Sequence, residues 1–179
     1  MKQMHLLRAA CISLLLAGST TLVSAQNQSL SDPEVAYVAV TANQIDIDYA
    51  QIAKQKSKNA EIVKFAETME RDHKGVIAQA SDLVKKLNVT PKDNAVAQKL
   101  QSDADKTKQQ LKGVSGAEFD KSYIDNEVAY HKAVINAVET VLIPEVQNAE
   151  LKKLLQDVLP ALRAHLGHAE MVQKNIKQN

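Results

Sequence analysis

Five side chains in this sequence have the chemistry to hold something: Asp46, His73, Glu127, His131 and His165. Imidazole and carboxylate suit zinc, iron, manganese and copper ions. The same groups also form hydrogen-bonded pairs that fix packing and need no ligand. The outcome depends on whether the chain brings them to one point. Ligand bonds to nitrogen are about 2 Å, so imidazole nitrogens more than about 8 Å apart cannot share one ion.

The elements that position them are helices. The chain has 179 residues and a net charge of +1, with five glycines, four prolines and no tryptophan. Its Ala, Leu, Lys, Gln and Val content favours helix over sheet. Apolar residues recur at three and four along Val38, Ala42, Ile45, Tyr49 and Ile52, and again from Ile62 to Leu87. The same spacing returns from Phe119 to Val141 and from Leu151 to Ile176. The pattern predicts a first helix from Asp32-Pro33, as N-cap and first position, to about Ser57, and a second over about 60–87. A shorter charged helix over 94–112 follows a loop containing Pro91. A third long helix runs over about 117–142, where Pro144 breaks the chain, and a fourth over about 147–176. Tight turns near Ser57 and Pro144 and one long connection make an all-α, ferritin-like antiparallel four-helix bundle, with the shorter helix in its crossover.

Projected at 100° per residue, His73, His131, His165 and Glu127 fall inside the apolar arcs of three helices. Asp46 falls on the inner side of the first, and Asp120 also points inward. Glu70, Asp72, Asp48 and His168 fall on rims. Counted from the turns, Asp46 and His73 lie at one height, and His165 lies closer in height to Glu127 than to His131. A polar layer drawn from four helices reduces a burial cost of a few kcal/mol per unpaired group.

Residues 1–25 read as a cleavable export signal. Lys2 and Arg8 precede the apolar run Ala9–Ala17, and Val23-Ser24-Ala25 fits a signal peptidase. The run is too short to span a bilayer. Cys11 precedes most of it and leaves with it. Residues 26–32 are a polar lead and 33–179 the bundle domain. The remaining chain has no cysteine and no second long apolar segment. It is expected in the periplasm or outside the cell, with no membrane span, and peripheral attachment to the envelope stays open.

Near-neutral charge disfavours nucleic acid as a partner. There is no phosphate loop and no nucleophile elbow. A di-iron oxidase needs a Glu from each of two helices and Glu-x-x-His from each of the others. Here Glu70-x-x-His73 has its Glu on a rim, and the fourth helix has His165-x-x-His168 without the Glu. The pattern is incomplete. The leading expectation is therefore a non-enzymatic exported bundle, for envelope maintenance, stress tolerance or binding, with a structural His/carboxylate layer. The alternative is a metal-binding or redox protein using that layer for zinc, iron or copper.

Three stretches carry a resemblance: 39–73 with Phe65, Met69, Asp72 and His73; 116–131 with Phe119, Asp120, Tyr123 and His131; and 154–169 with Pro160 and His165. In these the chain resembles the family called domain of unknown function 4142. Its members are exported bacterial proteins, often labelled outer membrane proteins. The resemblance implies a ferritin-like fold and export, and no settled activity. One departure is visible: where a Glu is expected after the Ala-Asn pair of the first helix, this chain has the shorter Asp46.

Overall fold

A computed structural model describes residues 29–178. The export signal and most of the polar lead lie outside the described residues. Four long helices make the bundle: α1 (Asp32–Lys56), α2 (Ala60–Lys86), α4 (Gly116–Ala137) and α5 (Ala149–Gln178). The crossover carries α3 (Ala95–Gly113), and no strand occurs among the described residues.

Polar contacts at the ends set the directions. Asn94 donates to the Glu34 carbonyl and Lys56 to the Lys112 carbonyl, so α3 runs alongside α1 in the same sense. Lys86 pairs with Glu150, and Asn175 donates to Glu61, so α5 is antiparallel to α2. Ser57, after α1, meets Asp120 near the start of α4. Thus α1 and α5 run one way and α2 and α4 the other, the one-crossover connectivity expected from the sequence.

The boundaries hold two corrections. Ser31, not Asp32, precedes the first helix. Its backbone N–H and hydroxyl both donate to Glu34, and these bonds hold the Glu34 carboxyl down at about 2. Asp32 is thereby free to accept from the N–H groups of Gln147 and Asn148, pinning the turn before α5. Pro144 does not break its helix. A π-helical turn, Val138–Leu142, widens the backbone ahead of it, and helical geometry continues through Ile143–Glu145. Proline lacks an N–H and crowds the carbonyl four residues back, and the wider turn relieves both. Pro160 is exposed within α5, which runs through it unbroken.

Two apolar clusters fill the bundle, one either side of the polar layer. The first is aromatic-rich, with Phe65, Phe119, Tyr123, Tyr49, Met69, Ile45 and Ile62. The second, nearer the start of α1, is aliphatic: Val35, Val38, Ile135, Leu142, Leu151, Leu155 and Leu162. Between them, Asp46 and Glu127 are 0 % exposed and His131 is 1 % exposed.

Candidate metal centre

Each of the four bundle helices contributes to the layer. His73 on α2, His131 on α4 and His165 on α5 face one another, with ring centroids 5.2–5.7 Å apart. One ring nitrogen from each lies within 4.8 Å of the other two. Asp46 on α1 places Oδ2 3.4 Å from His73 Nε2 and 3.6 Å from His131 Nε2. Glu127, one turn before His131, stands 3.6 Å from its Nδ1. Asp46, Glu127 and His131 also bring one donor atom each within 4.8 Å. All five sequence-selected residues therefore meet in one layer.

Their order within it differs from the sequence estimate. His165 meets His73 and His131, whereas Glu127 stands with Asp46 and His131. The estimate had placed the turn at Pro144. The π turn and the connection 146–148 shift the register of α5 against α4. Asp120 is buried but apart, accepting from the Ser57 hydroxyl at 2.5 Å.

The hydrogen bonds around the imidazoles fix their tautomers. Asn43 donates its amide to the Ala39 carbonyl, so its oxygen faces His73 and accepts from Nδ1–H at 2.7 Å. His131 Nδ1–H donates to the Glu127 carbonyl at 3.0 Å. His165 Nε2–H donates to Asp72 at 3.1 Å. The other nitrogen of each ring, His73 Nε2, His131 Nε2 and His165 Nδ1, is buried and has no hydrogen-bond partner. Neither oxygen of Asp46 or Glu127 has one either. A ring oriented through one nitrogen, with its other lone pair aimed inward, is how proteins prepare imidazole for a metal.

Burial makes the layer neutral as it stands. It pushes the Asp46 carboxyl up to about 8, and it raises Glu127 well above the usual range with help from neighbouring Asp46. It lowers His73 to about 3 and His131 to about 4, while His165 is lowered against the opposing pull of Asp72. Two fully buried carboxyls beside buried imidazoles, each with an atom lacking a hydrogen-bond partner among the described residues, fit a cation.

The rim assignments hold, with one addition. Glu70 is engaged by Lys54 at 2.7 Å and Lys74 at 2.6 Å, which hold its carboxyl down at about 2. It is therefore turned away from His73, and the di-iron pattern stays incomplete. Asp48 pairs with Lys108, and His168 lies edge-on to Phe65. Asp72, read only as a rim residue, reaches His165 from that rim. Asn43 was missed altogether. The signal for it was its position one turn before Asp46 on the same face.

Among solved structures, the chain is similar to CopM in the Cu(II)-bound form, with a TM-score of 0.59 and 19% identity over 82% of this chain and 98% of that one. That likeness is one of fold. Among curated proteins, none matches the sequence. Residues 17–172 match the family described as Domain of unknown function (DUF4142), most of the length of the chain, and the protein belongs to that family.

Proposed function

We propose that this protein binds one transition-metal ion in the middle of its bundle, copper foremost, and acts as an exported, non-enzymatic metal-binding protein. His73 Nε2, His131 Nε2, His165 Nδ1 and a carboxylate oxygen of Asp46 are its ligands, and Glu127 is an additional carboxylate beside them. One observation carries the reading: the three imidazoles converge, and each has one buried ring nitrogen without a hydrogen-bond partner among the described residues. A purely structural network would pair these atoms with each other, because a buried polar group without a partner costs about 1–3 kcal/mol.

The choice of metal rests on weaker supports that agree. Imidazole-rich sites generally bind copper(II) above the other first-row divalent ions. The structural neighbour, CopM, is described in a Cu(II)-bound form. A bound ion supplies positive charge that allows Asp46 and Glu127 to ionise in the core. The capture of Glu70 by two lysines favours binding over di-iron oxidation chemistry. Export is supported by the leader-like segment 1–25. No helix among the described residues is long and apolar enough to cross a membrane.

Protein purified without a histidine tag tests this by elemental analysis and by titration with Cu(II), Zn(II) and Fe(II). The expected result is one equivalent of bound metal, lost in the His73→Ala/His131→Ala double variant. No metal above trace and no thermal shift with any of the three ions overturns it.

A further inference from the structure

The aliphatic half of the bundle is underfilled. A cavity of about 670 Å³ lies between the second half of α2 and the first half of α5, floored by α1 and α4. The cause is compositional. The other half of the core is filled by Phe65, Phe119 and Tyr123, whereas the residues facing this space include Ala36, Ala39, Ala80 and Ala137. The space is open along one side, where the exposed Arg71, Gln79, Val96 and Asp157 line it. Its aliphatic walls make it a poor site for ordered water, and its volume is that of a small-molecule pocket.

One end is polar and specific. Asp46, His73, His131 and His165 form it, with their unpartnered atoms, and at the rim Arg71 is paired with Asp72 at 2.8 Å. The walls then continue along α5 from His165 to Leu151, about 20 Å at the helical rise. A long apolar slot with one end of open imidazole nitrogens matches a molecule with an alkyl chain and one carboxyl head that can donate to, or share an ion with, those nitrogens.

We propose that this cavity is a binding site for a long-chain carboxylic acid, its chain between α2 and α5 and its carboxyl at the histidine cluster. If an ion is held there, the acid's carboxylate would add an oxygen donor beside Asp46 and the three imidazoles. Without the ion, the acid O–H donates to one of the open ring nitrogens, a single hydrogen bond in place of a coordinate bond. The head-group half of this inference rests on the metal reading, and the chain half does not.

Calorimetric titration of dodecanoic acid into metal-free and Zn(II)-loaded protein tests both halves. Zinc is chosen because it leaves redox chemistry aside. The expected result is one acid per protein in both forms, at least tenfold tighter with zinc. Ala80→Phe and Ala137→Phe each fill the cavity without touching a ligand. Either variant, if folded by circular dichroism, is expected to keep its zinc and lose the acid. Zinc uptake with no acid binding overturns this inference and leaves the metal reading standing. Acid binding that persists in the filled variants overturns the cavity assignment. Failure to bind zinc overturns the zinc-assisted head-group half and leaves the metal reading to its own titration with the three ions, while loss of acid binding in the filled variants still supports the chain half.

Discussion

Asp46 concentrates the opposition between stability and binding at the residue scale. Burial raises its carboxyl to about 8, far above the unfolded value of 3.8. A raised acid contributes stability fully below its unfolded value and loses it as pH rises toward the folded one. Metal-free protein is therefore penalised at pH 7.5 by this residue. Asp46→Asn removes the ionisable group at nearly constant shape. It is expected to raise metal-free stability by about 1–3 kcal/mol, read from urea midpoints, while weakening metal affinity at least tenfold. The histidines run in the opposite direction. His73 and His131 are lowered to about 3 and about 4, so the stability they contribute is complete above about 6.5 and is lost as pH falls toward those values. Asp46 and Glu127 gain stability over the same fall in pH, so a drop in urea midpoint between pH 6.5 and 4.5 is expected in metal-free Asp46→Asn/Glu127→Gln protein, and less so when His73→Phe is added. A midpoint independent of pH over that window in the Asp46→Asn/Glu127→Gln protein contradicts the buried neutral imidazoles. Asp72 and Asn43 act through the rings they orient. Asp72→Asn and Asn43→Leu are each expected to cost about 10–100-fold in metal affinity with the ligands intact. A change under twofold in both means the tautomers are set some other way.

The elements hold the layer in register through buried contacts at their ends. Ser57 sits in the turn between α1 and α2, accepts from the Asn59 N–H, and donates to Asp120 near the start of α4. Ser57→Ala leaves the Asp120 carboxylate buried without its donor. The expected loss is about 1–3 kcal/mol of folding stability, measured by denaturant titration, with metal stoichiometry unchanged. Much of this level was legible in the sequence, because three-and-four spacing over long segments fixes which face each helix buries. His73, His131, His165, Glu127 and Asp46 all followed from that periodicity alone. The depth of His165 did not, since a π turn adds a residue to one helical turn without altering the apolar pattern. The role of Asp32 was likewise hidden: an Asp-Pro pair reads as a local cap, and its use across the bundle at Gln147 and Asn148 is set by tertiary packing. Asp72 was misjudged because projection tells direction from the helix axis, not the reach of a side chain toward a neighbouring helix.

For the molecule as a whole, the layer divides the core into an aromatic half that packs densely and an aliphatic half that encloses a cavity. Neither division is visible in composition, which reports six aromatics without saying that most of them gather on one side. The consequence concerns what completes the fold. Four helices converge on atoms that have no hydrogen-bond partner among the described residues, so the metal-free bundle carries these unpaired polar groups as a standing cost. An ion that binds the folded state and not the unfolded chain stabilises by mass action, about 2.7 kcal/mol at a hundredfold excess over its dissociation constant. Because the proposed ligands come from α1, α2, α4 and α5, that gain would tie all four helices together and not a single hairpin. Copper or zinc is therefore expected to raise the thermal midpoint by several degrees. It is also expected to slow amide exchange in the middle turns of all four helices together. The same titration on His165→Ala, which removes the only ligand from α5, is expected to keep a smaller shift and to lose the added protection in α5 first. Exchange slowed in α1 and α2 alone would mean that the ion sits on that hairpin and that the convergence of the four helices is not what binds it.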